Sequence, residues 1–158
     1  MIKKILIILT ILFFFQPSYS EVVNEIVIKG NKRVSDETIK IYGEVKKNKD
    51  ISENDINKIL NNLYSTDFFE DVKINLNNNV LTIIVKEYPI VNQLVIVGEK
   101  KKSYIEKIKK LIQLKEKKAF VKSYLANDIN LIKELYSTLG YNFTEVEAKI
   151  KKIDDNNL

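Results

Sequence analysis

Chemistry in a protein starts from side chains that move protons, attack carbonyls or hold metals. This chain has no histidine and no cysteine. Imidazole bases, thiolate nucleophiles, disulfides and the commonest zinc ligands are therefore excluded together. Its carboxylates never fall into metal-loop spacing. Gly30 and Gly98 are single glycines behind candidate strands; a phosphate cradle needs more glycine, so both read as turns. The lysine runs Lys100–Lys102 and Lys115–Lys118 could touch phosphate or anionic lipid. No base-stacking aromatics interleave them, so no nucleic-acid partner is expected, and solvated loops are their ordinary place. Tyr64 and Tyr136 recur at matching places, as do Phe68-Phe69 and Tyr141-Asn142-Phe143. A binding patch is one use for them; plugging the core where helix turns into strand is the commoner one. Phe69 is expected to be the exposed member. The residues thus predict no enzyme, no cofactor and no metal, and the working surface has to be sought in the elements.

Those elements repeat. Glu25–Lys40 reads EIVIKGNKRVSDETIK and Gln93–Lys109 reads QLVIVGEKKKSYIEKIK, which places Gly30 and Gly98, and Ser35 and Ser103, 68 residues apart. Asp55–Thr66 (DINKILNNLYST) returns as Asp128–Thr138 (DINLIKELYST). Four landmarks in one order make a duplicated module, and a repeat implies an array built for surface and reach. At 45% hydrophobic and 30% charged residues the chain is foldable. Its net charge of +5 lies in Pro89–Leu158, while Glu21–Tyr88 is slightly acidic.

Module one begins with a strand over Val22–Lys29, Ile26 and Ile28 sharing a face. Gly30-Asn31 ends it. Ser35 is the N-cap of a helix to about Lys46, with Asp36 and Glu37 in the first turn. Ser52 and Asp55 form a capping box for a second helix whose stripe is Ile56, Ile59, Leu60 and Leu63. Val72, Ile74 and Leu76 alternate with polar residues, Asn77–Asn79 turn, and Leu81, Ile83 and Val85 follow in a strand apolar on both sides for most of its length, hence interior. Module two restarts after Glu87-Tyr88-Pro89, a rigid joint. Leu94 and Ile96 take the places of Ile26 and Ile28, Ser103 and Glu106 form a capping box, and Leu125, Ile129, Ile132, Tyr136 and Leu139 form the long stripe. Val146, Ala148 and Ile150 are a strand, and Asp154–Asn157 a turn. Module one is β-α-α-β-β; module two is β-α-α-β.

Met1–Ser20 has Lys3-Lys4, the apolar run Ile5–Phe15 and Ser18-Tyr19-Ser20. That pattern predicts a secretory signal peptide cleaved after Ser20, its run short of what a membrane-crossing helix needs, with an uncleaved anchor as the alternative.

At this point the residues carry a resemblance. IVIKGN before a helix, then LYSTDFFEDVKI, then LTIIVKEYPIV resembles a POTRA domain and the entry to the next; LYSTLGYNFTEVEAKI is similar to the variant POTRA ending with Gly-Tyr. POTRA domains are periplasmic repeats of BamA-type outer-membrane protein assembly factors and their relatives. Asp67 stands where the family usually has Gly, and Glu99 where it has Asn. The resemblance implies an α+β fold: two tandem modules at 21–88 and 89–158, each a three-stranded sheet with two helices on one face, the second lacking its last strand. It implies that the last strand lies between the first and second, so that Asp71, Val72, Lys73, Ile74, Asn75, Leu76 and Asn77 form an open edge able to receive a client strand. Partners implied are unfolded outer-membrane protein precursors, periplasmic chaperones and assembly-machine lipoproteins, with the outer membrane reached through a barrel absent from this chain. The place implied is the periplasmic face of the outer membrane of a Gram-negative bacterium. A two-partner secretion transporter, an autotransporter assembly factor and a structural docking scaffold are the alternatives. Without its last strand, module two is expected to exchange its amides faster than module one.

Overall fold

The computed structural model describes residues 20–158. The expected signal peptide lies outside the described residues except for Ser20.

Module one opens with two strands, β1 (Glu21–Val23) and β2 (Glu25–Lys29), where the alternation predicted one. The break falls at Asn24, whose N–H donates to the Asn79 carbonyl at 2.8 Å. Strand β1 then turns aside to pair antiparallel with β3 (Lys49–Ile51), which the sequence pattern did not predict. Helix α1 (Asp36–Tyr42) is capped by Ser35, whose Oγ accepts the Thr38 N–H at 3.2 Å. It stops short of the expected Lys46 because Glu44 takes a φ of 55°. The Glu44 and Val45 N–H groups close back on the Ile41 and Lys40 carbonyls, which satisfies the helix end. Helix α2 (Glu53–Tyr64) starts with the predicted capping box, Asp55 N–H to Ser52 Oγ at 3.3 Å and Ser52 N–H to Asp55 Oδ2 at 3.0 Å.

Strands β4 (Phe69–Asn77) and β5 (Val80–Glu87) close over Asn78-Asn79, both at positive φ (51° and 65°), the two-residue loop whose twist suits a hairpin. Strand β5 pairs parallel with β2 and antiparallel with β4, so the order is β2-β5-β4 and the last strand is central, as expected. On one face of this sheet Leu81, Ile83, Val85 and Val72 meet Ile39 of α1, Ile59 and Leu63 of α2, and Val23 and Ile51 of the β1–β3 pair. Each aliphatic side chain removed from water there contributes about 1.5–3 kcal/mol. A bulge between Phe69 and Asp71 shifts the alternation by one residue. Phe69, expected outside, is therefore buried at 1% exposure, while Phe68 sits at the surface edge-on to Tyr42.

Module two keeps the helices without the ladder. They are α3 (Lys102–Leu111) and α4 (Lys122–Thr138). Helix α3 takes Lys101 as its N-cap with no side-chain bond, so Ser103 already lies inside the helix and the expected Ser103–Glu106 box does not form. The strands expected at Leu94–Ile96 and Val146–Ile150 do not form either, and Val97 is 84% exposed. In module one both flanking strands owe their ladder to β5. Among the described residues no strand stands between the two corresponding segments of module two. What persists is the counterpart of the β1–β3 pairing. Ile90 bridges Ala119, and the Val91 carbonyl accepts the Lys117 N–H at 2.6 Å, as the Val23 carbonyl accepts the Asn48 N–H at 2.7 Å. Lys117 and Asn48 both hold positive φ, 62° and 58°. The predicted turn at Asp154–Asn157 forms. Beyond it, the Asn92 N–H donates to the Leu158 carbonyl at 2.8 Å, the match of Asn24 with Asn79.

Candidate functional site

The two-residue loop sets the register of the β4 edge. Asn77 pairs with Val80 directly beside it. In such a hairpin that pair exchanges both backbone hydrogen bonds, and successive pairs alternate. Asn77, Asn75, Lys73 and Asp71 therefore direct their N–H and C=O groups to β5. Leu76, Ile74 and Val72 direct theirs away from it, where among the described residues the sheet has no further strand. The seven expected residues thus sit together on an outer strand, but only three turn main-chain groups outward.

Those three are not alike. The Tyr64 hydroxyl, from the last residue of α2, accepts the Val72 N–H at 3.1 Å. Its single proton has two acceptors in reach, Asp71 Oδ1 at 3.4 Å and the Val72 carbonyl at 3.5 Å. Among the described residues no such contact exists for the outward groups of Ile74 and Leu76. Their side chains pack partly against the core. Lys73 and Asn75 point to the other face, with Lys73 3.5 Å from Asp71. A charged lysine on an edge strand opposes permanent edge-to-edge pairing.

The joint is built around Glu87. Its Oε1 accepts the backbone N–H groups of Lys32, Arg33 and Val34 at 2.7, 2.9 and 3.0 Å. Its Oε2 takes Arg33 Nε at 2.9 Å, and the same guanidinium donates to the Tyr88 carbonyl. Burial acts to raise the Glu87 pKa, but those backbone donors and the guanidinium outweigh it and hold the carboxyl below its ordinary value. Across the joint, Tyr124 donates to Asp67 Oδ2 at 2.6 Å and Lys32 Nζ reaches Asn156 at 3.2 Å. Asp67 holds a φ of 57°, the conformation glycine takes without cost, and its carboxylate makes the contact that a glycine lacks.

Tyr136, the repeat partner of Tyr64, does something else. Among the described residues no edge strand lies beside it, and it donates to Glu99. Burial and that bond push its pKa up to about 12. Helix α4 also carries Asp128, 3% exposed, whose oxygens accept the Gln113 and Leu114 N–H groups at 2.7 and 2.9 Å. Among the described residues no group of three or more carboxylates could hold a metal. No described helix is long and apolar enough to cross a membrane.

Sequence reasoning missed the contacts of Tyr64, Glu87 and Asp128. Asp128 alone left a trace, an acid inside the apolar stripe between Leu125 and Ile129.

A three-stranded sheet with its last strand central, two helices on one face and a second copy of its landmarks defines a tandem α+β module protein. The chain belongs to the POTRA family, described as surface antigen variable number repeat, which matches residues 21–88 and again 89–158. It is 28% identical over 148 residues to the outer membrane protein assembly factor BamA of Neorickettsia risticii (strain Illinois), covering 94% of this chain and 20% of that protein. The chain therefore spans about a fifth of the length of that relative. Among solved structures it is similar to the N-terminal domain of Omp85 from the thermophilic cyanobacterium Thermosynechococcus elongatus. The TM-score is 0.58 at 17% identity, over 88% of this chain and 60% of that one. It is also similar to POTRA1-2 of the periplasmic domain of Omp85 from Anabaena, with a TM-score of 0.51 at 13% identity, over 89% and 93%. At these identities the structures speak for the fold.

Proposed function

We propose that these repeats work in the periplasm as the receiving arm of an outer-membrane protein assembly factor, pairing unfolded precursors with the β4 edge over Asp71–Asn77. The observation that carries this reading is the row of outward main-chain groups on β4. Main-chain pairing asks for no particular client sequence, so one edge serves many β-barrel precursors, each bound weakly enough to move on. Chaperones deliver the precursor, lipoproteins dock on the modules, and a barrel elsewhere in the assembly factor reaches the outer membrane. The repeats perform no covalent chemistry.

The test is an NMR titration of the ¹⁵N-labelled chain with peptides copied from β-barrel strands. Shifts concentrated in Asp71–Asn77 are expected. Shifts on another surface with β4 silent would replace strand addition by docking, and no shifts at all would end the client reading.

A further inference from the structure

The β4 edge is not uniformly open, and the residue that closes part of it is Tyr64. Three outward positions follow one another at every second residue: Val72, Ile74 and Leu76. The Tyr64 hydroxyl accepts the Val72 N–H at 3.1 Å and lies 3.5 Å from the Val72 carbonyl. One phenol therefore stands against both groups that an added strand would need at that position. Helix α2 places it there, since Tyr64 is its last residue and the chain returns as β4 only a few residues later. Tyr64 is 43% exposed, and its hydroxyl already occupies the outward groups of Val72, so a strand that paired there would have to displace it.

We propose that Tyr64 is a register stop, which confines an added strand to Ile74 and Leu76 and obliges it to leave the edge before Val72. This inference rests on the strand-addition reading and refines it. A strand pairing at every second residue has the same bonds available after a two-residue slip, so an edge without a stop leaves its client free to slide. The phenol ends the ladder at one defined place. The client it fits is an extended segment with a short paired stretch followed by a bend or a glycine, rather than a long continuous strand. Weak, short pairing also follows, because the outward groups of two residues are all that remain. Among the described residues Tyr136 contacts no strand and donates to Glu99 instead.

Two variants separate the bonds from the ring. Tyr64→Phe keeps the ring and removes the hydroxyl; without any peptide, the Val72 amide should exchange roughly five- to tenfold faster, the effect of losing one net hydrogen bond. Tyr64→Ala removes both. The probe is a capped peptide of alternating valine and threonine with lysine at each end, titrated into the ¹⁵N-labelled full chain. In the wild type, protection should appear at the Ile74 and Leu76 amides and stop there. In Tyr64→Ala it should spread to Val72, with roughly fivefold tighter binding. Unchanged Val72 exchange in Tyr64→Phe, or protection that still stops at Ile74 in Tyr64→Ala, overturns the register stop while leaving strand addition intact. No protection at Ile74 and Leu76 in the wild type overturns strand addition itself, and the stop with it.

Discussion

Replacing Gly30 and Gly98 separately by alanine tests whether the two halves of the repeat differ as described. Both glycines hold nearly the same backbone conformation, φ +87° and +89°. An alanine in that region costs about 1–2 kcal/mol of backbone strain at either site. The surroundings differ. A Cβ at Gly30 would lie 2.1 Å from the Val85 carbonyl oxygen in the central strand. No side chain can rotate to relieve that contact, because the obstacle is backbone held between β2 and β4. Relief requires β2 to move off β5, which breaks the parallel ladder. Strain and clash together put Gly30→Ala at about 4 kcal/mol or more, within the range where small domains lose their fold. A Cβ at Gly98 meets nothing within 4 Å, and the segment around it is in no ladder. Gly98→Ala should therefore cost only that backbone strain, about 1–2 kcal/mol. Urea denaturation combined with amide exchange measured separately over β2, β4, β5 and α3–α4 would read both. Equal destabilisation by the two substitutions would refute the claim that the second glycine faces no central strand.

Glu87→Ala should destabilise module one by about 3 kcal/mol in a urea titration, since three backbone donors and a guanidinium lose their acceptor; a change under about 0.5 kcal/mol would show that the cradle is idle. The lowered Glu87 pKa adds a sign: its contribution is complete above the ordinary carboxylate value of 4.5 and lost as pH falls through the lower folded value. Glu87→Gln should therefore flatten part of the acid limb of the stability curve. Asp128→Ala leaves the Leu114 N–H unpaired and buried and should cost about 3 kcal/mol, with the loss read as faster exchange in the Gln113–Leu114 loop and α4. Tyr136, raised to about 12, contributes fully below about pH 10 and loses that contribution as pH rises through about 12. Tyr136→Phe should remove that alkaline limb, followed by phenolate absorbance alongside far-UV dichroism.

Local chemistry was the legible part of module one, whereas the Ser103–Glu106 box of module two did not form. Ser35, the Ser52–Asp55 pair and the Asn77–Asn79 turn act within a few residues, and each does what its type and spacing predict. The interior place of Leu81–Val85 was legible too, because a strand apolar on both sides needs cover on both. Alternation failed where it met geometry it does not encode. One extra residue at the bulge moved Phe69 from surface to core. Leu94–Ile96 and Val146–Ile150 alternate well, yet periodicity describes a surface and not the partner that surface needs. The edge residues were nameable as a set, whereas the division between Val72 and Ile74–Leu76 depends on Tyr64 reaching across from another element. Glu87 was less legible still, since its backbone partners at Lys32–Val34 lie more than fifty residues away.

The central strand is also the last one made, and this sets an order in time. The β4–β5 hairpin closes over two residues, an event of microseconds. Pairing β5 with β2 joins Ile26 to Leu81, 55 residues apart, and such non-local closure is the slow step in small domains. Substitutions that loosen the crossover therefore weigh on how fast module one folds. A chain emerging from its N-terminus passes through an interval in which β2, both helices and the small β1–β3 pair exist and the three-stranded sheet does not. For that interval the module is itself an unpaired strand waiting for another.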